Sequence, residues 1–268
     1  MTAEKYKESV MNFYTSIAPY YDVLFPYDET QITFLESALE SVFVGENPEP
    51  MVTATARPRF FLDIGCGTGT ILLAFRNRFS KVYGLDLDEE LLKKAEEKGN
   101  FLPENNIVFV NGNMLNLDTL AVETSFDAIT CLGNTLPHLT GANQVNYFLS
   151  MVYQRLTKDG IFVFQIINYD RILAGAIRGL PTIETQDLTF ERYYTEQKPD
   201  GIIDFETILS DPAGGRTIRN SVRLKPLQRQ EIETGLAFAG FKTYRLFGDY
   251  TGAAYTSDSF LLIGICKK

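Results

Sequence analysis

Three glycines separated by single residues, Gly65, Gly67 and Gly69, stand between the apolar run Phe60-Phe61-Leu62-Asp63-Ile64 and a stretch opening at Thr70 that reads as a helix. A turn without Cβ atoms can take positive φ, and its main chain can come within contact distance of a ligand lying across the helix start. The chemistry these residues permit is the cradling of a small cofactor by backbone groups. Two carboxylates frame the turn. Asp63 lies two residues before the first glycine, and Asp86 closes the next apolar run, Val82-Tyr83-Gly84-Leu85. A carboxylate at a second strand tip can accept both hydroxyls of a ribose, as acidic residues do in dinucleotide folds. The nicotinamide and flavin pattern itself does not fit, because its third glycine falls three residues after the second, and that position here is Thr70.

Taken whole, Leu62-Asp63-Ile64-Gly65-Cys66-Gly67-Thr68-Gly69 followed by Asp86 resembles the class I S-adenosylmethionine-dependent methyltransferases. The resemblance implies S-adenosyl-L-methionine as cofactor and S-adenosyl-L-homocysteine as product. It implies that backbone groups of Gly65, Cys66 and Gly67 approach the amino-acid portion, that Asp63 orients the turn and meets the ammonium, and that Asp86, with Leu87 beside it, holds the ribose. Asp88 reads instead as a helix cap. Asn113 and Met114 occupy the slot after the third strand where many relatives carry an aspartate facing adenine, and an amide can both accept and donate there. Leu132 and Gly133 would line the methionine arm through main-chain atoms. Tyr14, Tyr20, Tyr21 and Tyr27 are candidates to cover the sulfonium, whose charge favours aromatic faces and phenol oxygens; packing is the alternative role for each.

Three further segments narrow the resemblance. Cys131-Leu132-Gly133-Asn134-Thr135-Leu136-Pro137-His138-Leu139, Asn168-Tyr169-Asp170-Arg171-Ile172-Leu173, and Phe247-Gly248-Asp249-Tyr250 with Ala254-Tyr255 look like stretches of glycine N-methyltransferase and its glycine/sarcosine relatives. Amino-sugar N,N-dimethyltransferases share the architecture. One position departs from the glycine enzymes: they carry a carboxylate-binding arginine directly before the Asn-Tyr-Asp triplet, and here that residue is Ile167. An alkyl group cannot replace a bidentate guanidinium. Either Arg171, Arg178, Arg192, Arg219 or Arg223 reaches in from elsewhere, or the acceptor is not glycine.

Methyl transfer is an in-line displacement, so holding nucleophile, methyl and sulfur collinear in a dry cleft supplies most of the acceleration. His138, the single histidine, follows the fourth strand and could accept a proton or simply hold its loop. Asn134 and Tyr169 are candidates to position an amine, with turn capping as their other reading. The function expected is methylation of a small metabolite at an amine nitrogen, glycine/sarcosine-like or amino-sugar-like. O-methylation and a non-catalytic S-adenosylmethionine-binding regulator are the alternatives.

The elements that must position these groups alternate between strand and helix. A helix over Ala3 to Ser16 precedes an aromatic segment, and Asp28 caps a second helix with Ile32, Leu35, Leu39 and Val42 on one face. Gly45 to Pro58 reads as a loop. Strands are expected at Arg59–Ile64, Val82–Leu85, Ile107–Val110, Phe126–Cys131 and Ile161–Ile167, with helices near Thr70–Arg78, from Asp88 to a stop at Gly99, and over Ala142–Leu156. A helix from Gln228 to Ala239 and strands Phe241–Phe247 and Ser259–Cys266 complete the pattern. Between Asn168 and Pro226 three antiparallel strands are expected, Leu188–Glu196, Ile202–Ser210 and Arg216–Leu224, standing over the strand tips as a substrate lid or an oligomer contact. The fold class is α/β, a doubly wound, mostly parallel seven-stranded Rossmann-like sheet with a small antiparallel β insertion after strand five. The expected division is 1–58 as the N-terminal helices and cofactor-capping segment, 59–167 with 226–268 as the cofactor-binding core, and 168–225 as the insertion.

Composition agrees with this. The chain of 268 residues can bury a large core, and 34 acidic against 25 basic residues leave a formal charge of −9 that repels a polyanion. A small-molecule substrate is expected, with no nucleic acid or membrane partner, cytoplasmic location and room for a homo-oligomer. Cys66, Cys131 and Cys266 form no metal-ligand spacing, no metal is expected, and the three read as buried reduced thiols.

Overall fold

A computed structural model describes residue 10 and residues 12–43, 57–100, 106–120, 125–211 and 213–268. The first part of the expected Ala3–Ser16 helix and most of the Gly45–Pro58 loop lie outside them. Residues 12–17 are helical. The apolar runs form β1 (Phe60–Ile64), β2 (Lys81–Asp86), β3 (Ile107–Asn111), β4 (Phe126–Cys131) and β5 (Leu156–Ile167). A separate four-stranded sheet follows, made of β6 (Gly179–Glu184), β7 (Thr189–Tyr194), β8 (Ile203–Asp211) and β9 (Arg216–Leu224); β10 (Thr243–Phe247) and β11 (Leu261–Lys267) return to the first sheet.

The main sheet has seven strands in the order β10-β11-β5-β4-β1-β2-β3. Strands β3, β2, β1, β4 and β5 run parallel, and β11 is antiparallel to both its neighbours. Every residue of β4 is buried, as a central parallel strand covered on both faces requires. Side chains alternate: Leu62 and Ile64 of β1 join one core, with Phe148, Leu149 and Val152 of the helix Gln144–Arg155 and Ile232 and Leu236 of the helix Arg229–Ala239. Phe61 joins the other, with Leu35 and Leu39 of the helix Glu29–Phe43 and Leu72 and Phe75 of the helix Thr70–Phe75. Two cores on opposite faces make the doubly wound class. Each fully buried Phe or Leu contributes on the order of 1.5–3 kcal/mol of transfer free energy.

Sequence order reverses between β1 and β4, so the loops after these two strands diverge and open a crevice at their carboxyl ends. Residues 65–69 form one wall and 132–138 the other. Asp28 accepts backbone bonds from Thr30 at 2.9 Å and Gln31 at 3.4 Å, which is the expected cap.

Three details differ from the sequence reading. The helix Glu89–Asn100 passes through Gly99 instead of stopping there. The insertion begins with a helix, Tyr169–Ala174, whose cap is Asn168, with the Arg171 N–H donating to Asn168 Oδ1 at 3.3 Å. The sheet that follows has four strands, because Gly179–Glu184 pairs with β7 as an extra edge. Among the described residues no helix is long and apolar enough to cross a membrane.

Candidate functional site

The first wall is built by the glycine turn. Gly65 and Gly67 sit at φ 73° and 53°, in the left-handed region that disfavours a side chain. A Cβ on Gly65 would stand 2.6 Å from Thr135 Oγ1, across the crevice, and one on Gly67 would stand 3.0 Å from the Tyr21 hydroxyl. The turn is therefore closed on one side by the loop after β4 and on the other by the N-terminal segment. Cys66 is buried beneath it, and all three cysteines are free and buried.

Asp86 caps the turn from the tip of β2. Its Oδ2 accepts the Gly67 N–H at 2.8 Å and its Oδ1 the Asp88 N–H at 2.9 Å. Asp63, nearly inaccessible, accepts from the Thr130 hydroxyl at 2.6 Å. Burial raises both carboxyls, Asp63 to about 7 and Asp86 to about 6; the Thr130 bond to Asp63 and the backbone N–H groups of Asp88, Gly67 and Leu87 around Asp86 pull the other way, and the neighbouring carboxylates add to the rise. Asp88 plays the structural part read for it, accepting from the Leu91 N–H at 3.0 Å and from the Thr15 hydroxyl at 2.6 Å.

The second wall carries the polar groups. Asn134 stands at φ 65°, a conformation its short amide tolerates. Its Oδ1 accepts the Ile167 N–H at 2.9 Å and its Nδ2 donates to the Tyr169 hydroxyl at 3.0 Å. The loops after β4 and β5 are thereby joined by one side chain. The Gly133 N–H is committed to Gln165 Oε1 at 2.9 Å, and the Leu132 carbonyl accepts from Thr135 at 2.7 Å. A Cβ on Gly133 would meet nothing within 4 Å, so open space lies above that residue. Nε2 of His138 is 3.0 Å from the Tyr14 hydroxyl, and burial lowers this imidazole to about 4, leaving it neutral at pH 7.

Among the tyrosines, Tyr21 covers Gly67 and Tyr14 reaches His138. The other two candidates lie elsewhere: Tyr20 reaches toward Asp211 of β8 at 3.5 Å, and Tyr27 is exposed. Asn113 caps the turn after β3, its Oδ1 accepting the Leu115 N–H at 2.8 Å, while Met114 and Leu87 pack partly buried against the core.

Residues 61–160 match the methyltransferase domain family. That span holds the glycine turn, Asp86, and the loop of Asn134 and His138. The glycine/sarcosine N-methyltransferase of Aphanothece halophytica is 25% identical over 77% of this chain and 75% of its own length. The chain is a class I S-adenosylmethionine-dependent methyltransferase. The methyltransferase is also similar to the dTDP-3-amino-3,6-dideoxy-alpha-D-glucopyranose N,N-dimethyltransferase of Streptomyces fradiae, at 23% identity over 71% of this chain and 73% of that protein. A solved S-adenosylmethionine-dependent methyltransferase from Clostridium acetobutylicum superposes with a TM-score of 0.74 at 17% identity, covering 96% of this chain and 99% of that one, which shows the shared fold.

The cofactor of this methyltransferase is S-adenosylmethionine, and the residues present fit it: the glycine turn takes positive φ, open space lies above Gly133, and a carboxylate with spare lone pairs stands at the second strand tip. The structure separates the five candidate arginines. Arg178 pairs with Glu196 at 2.6 Å, Arg223 pairs with Asp200, and Arg171 lies over the Phe260 ring. Arg219 is exposed, while Arg192 is half-buried. Three polar participants received no role from the sequence: Gln165, which holds Gly133; Tyr250, quoted only within a matching segment, whose hydroxyl accepts from Gln31 at 2.7 Å and lies 3.5 Å from Gln165; and Tyr194, whose ring lies 6.1 Å from Tyr169. Buried polar side chains at strand ends were the signal available for them.

Proposed function

We propose that this methyltransferase methylates the amine nitrogen of a small metabolite, of the glycine/sarcosine or amino-sugar kind. The supporting observation is the neutral polar pair Asn134–Tyr169 at the tips of β4 and β5, with the neutral imidazole of His138 carried on the same loop as Asn134. These groups can hold an uncharged amine by hydrogen bonds, and a buried cleft disfavours the ammonium form that cannot attack. The relatives from Aphanothece and Streptomyces, both N-methyltransferases by description, support the same atom.

Bound S-adenosylmethionine supplies an electrophilic methyl group on a positive sulfur. The chain's part is to bind, orient and dry the site. In this reading Gly65, Cys66 and Gly67 hold the amino-acid end with Asp63 fixing the turn, Asp86 and Leu87 hold the ribose, and Asn113 and Met114 border the adenine. Leu132 and Gly133 shape the arm by leaving space, since their nearest main-chain polar groups are already bonded. Tyr14 and Tyr21 close the cleft from the N-terminal side. His138, with a pKa near 4, is a weak base, so it positions the acceptor through Tyr14 or accepts a proton only after transfer.

Mass spectrometry of products from a panel of glycine, sarcosine, other small amines, amino sugars, alcohols and carboxylic acids tests the reading. N-methylated product with release of S-adenosylhomocysteine is expected; methylation confined to oxygen would overturn it.

A further inference from the structure

The inner face of the antiparallel sheet carries a cluster that the methyl-transfer site does not use. Three buried side-chain polar atoms gather there without a hydrogen bond: Nε of Arg192, the Tyr194 hydroxyl and the Thr207 hydroxyl. Arg192 and Tyr194 are alternate residues of β7 and share a face, and Thr207 of β8 is directly opposite Arg192. The Tyr194 hydroxyl lies close to the Tyr169 hydroxyl, and the contact pushes the Tyr194 phenol up and pulls the Tyr169 phenol down, though no bond of full hydrogen-bond geometry joins the two. Unpaired buried donors on one patch are costly, and such a patch asks for an acceptor.

Two landmarks locate the patch. Phe190, the preceding residue on that face, packs at 6.2 Å against Phe25, which packs at 5.1 Å against Tyr21 over the glycine turn. Tyr194, the following one, packs at 6.1 Å against Tyr169, which is bonded to Asn134. Arg192 falls between the cofactor side and the acceptor side of the cleft. Its Nη2 donates to the Pro181 carbonyl at 2.5 Å, which fixes the guanidinium plane and leaves Nε–H available. No acidic side chain among the described residues forms an ion pair with it.

We infer that Arg192, Thr207 and Tyr194 form an anion clamp that selects acceptors bearing a carboxylate. The inference rests on the acceptor lying at the tips of β4 and β5, as proposed above. A single guanidinium balances one negative charge, so a carboxylate is matched, whereas a phosphate dianion would leave charge uncompensated in a dry cleft. Arg192 thus takes, from a different strand, the part that Ile167 cannot play.

The test uses the full chain loaded with S-adenosylhomocysteine, titrated with acetate, acetamide and inorganic phosphate. Acetate should bind the wild type at least roughly tenfold more tightly than acetamide, and Arg192→Met should remove that preference, as loss of a charge-assisted bond predicts. Arg192→Lys should restore part of it, and Arg219→Met, on the exposed side, should change nothing. In turnover, Arg192→Met should raise KM for an amino acid by roughly tenfold or more while leaving KM for its amide unchanged. Equal acetate affinity in wild type and Arg192→Met, a preference for phosphate, or no discrimination against acetamide overturns the clamp. If Arg192→Met does not fold, the Arg192→Lys titration decides alone, an unchanged acetate affinity counting against the clamp. Because the titration needs no turnover, methylation found only on oxygen would sink the amine reading and leave the clamp standing.

Discussion

Asp86 gives the most direct prediction, because its charge state is tied to pH. A carboxyl that ionises near pH 4 in the unfolded chain ionises at about 6 when buried here. Between those values the folded protein binds more protons than the unfolded one, so the contribution of Asp86 to apo stability is full at low pH and is lost as pH rises through 6. Ribose binding has the opposite dependence, since two hydroxyls need an ionised acceptor. The rise in Tm produced by S-adenosylmethionine should therefore grow between pH 5 and 7 in the wild type, roughly with one proton's titration. In Asp86→Asn the cofactor should bind about 10- to 100-fold more weakly at pH 7, the cost of a lost charged bond, with a shallower profile in which only Asp63, raised to about 7, still titrates. His138→Ala should leave cofactor affinity nearly unchanged. A wild-type shift that stays constant with pH would show that Asp86 is not the acceptor. This part of the site was legible in the sequence because backbone cradling demands glycines and ribose binding demands an acid at a strand tip. Arg192 was legible only as one of five arginines, and Tyr194 and Thr207 not at all, because alternation along β7 and β8 says that two faces exist without saying which one looks inward.

At the scale of elements, glycines outside the turn separate two effects that sequence alone confuses. Gly99 read as a helix stop, yet the helix continues through it, and a Cβ there would meet its nearest neighbour, Phe109, at an ordinary 3.6 Å. Gly99→Ala should stabilise the chain, by up to about 1 kcal/mol, because alanine loses less backbone entropy in a helix. Gly264 of β11 is the converse. It stands directly opposite Phe164 of β5, and an added Cβ would fall 2.1 Å from that buried ring. Gly264→Ala should destabilise by about 1–3 kcal/mol, since a packed core cannot shift an aromatic ring without strain. Thermal melts of the two variants should move in opposite directions, and a Tm for Gly264→Ala at or above the wild type would contradict the packing argument. The parallel strands were legible because strands covered on both faces must be continuously apolar. Strand β6 was not: it contains Pro181, which cannot donate to a ladder, and its pairing with β7 slips between Leu180 and Ile183. Only an edge position tolerates this, and whether an edge is on offer depends on the rest of the sheet.

At the scale of the molecule, the N-terminal segment is held between the two sheets and bonded to both. Thr15 donates to Asp88 of the core at 2.6 Å, Ser16 accepts from Asn220 of β9 at 2.8 Å, and Phe13 packs at 6.1 Å against Phe205 of β8. Asp22 anchors the same segment to the glycine turn, accepting from the Thr68 hydroxyl at 2.5 Å and from Lys98 at 2.7 Å. With Tyr21 lying over Gly67, this segment covers the turn, and lifting it is the direct route for a ligand to enter or leave. The barrier to lifting includes the bonds of Asp22. The Lys98 pair is partly exposed and contributes little, about 0–1 kcal/mol, whereas the Thr68 bond adds about 1 kcal/mol. Asp22→Ala should then raise both association and dissociation rates of S-adenosylmethionine by roughly 5- to 30-fold while changing Kd much less, because the same closed segment slows both directions. Surface plasmon resonance reads the rates, and hydrogen exchange over 12–25 should quicken in the same variant. Lys98→Ala, which leaves the Thr68 bond intact, should show only the small part of the effect. Rates unchanged in Asp22→Ala would mean that the cofactor reaches its cradle by a route that leaves this segment in place.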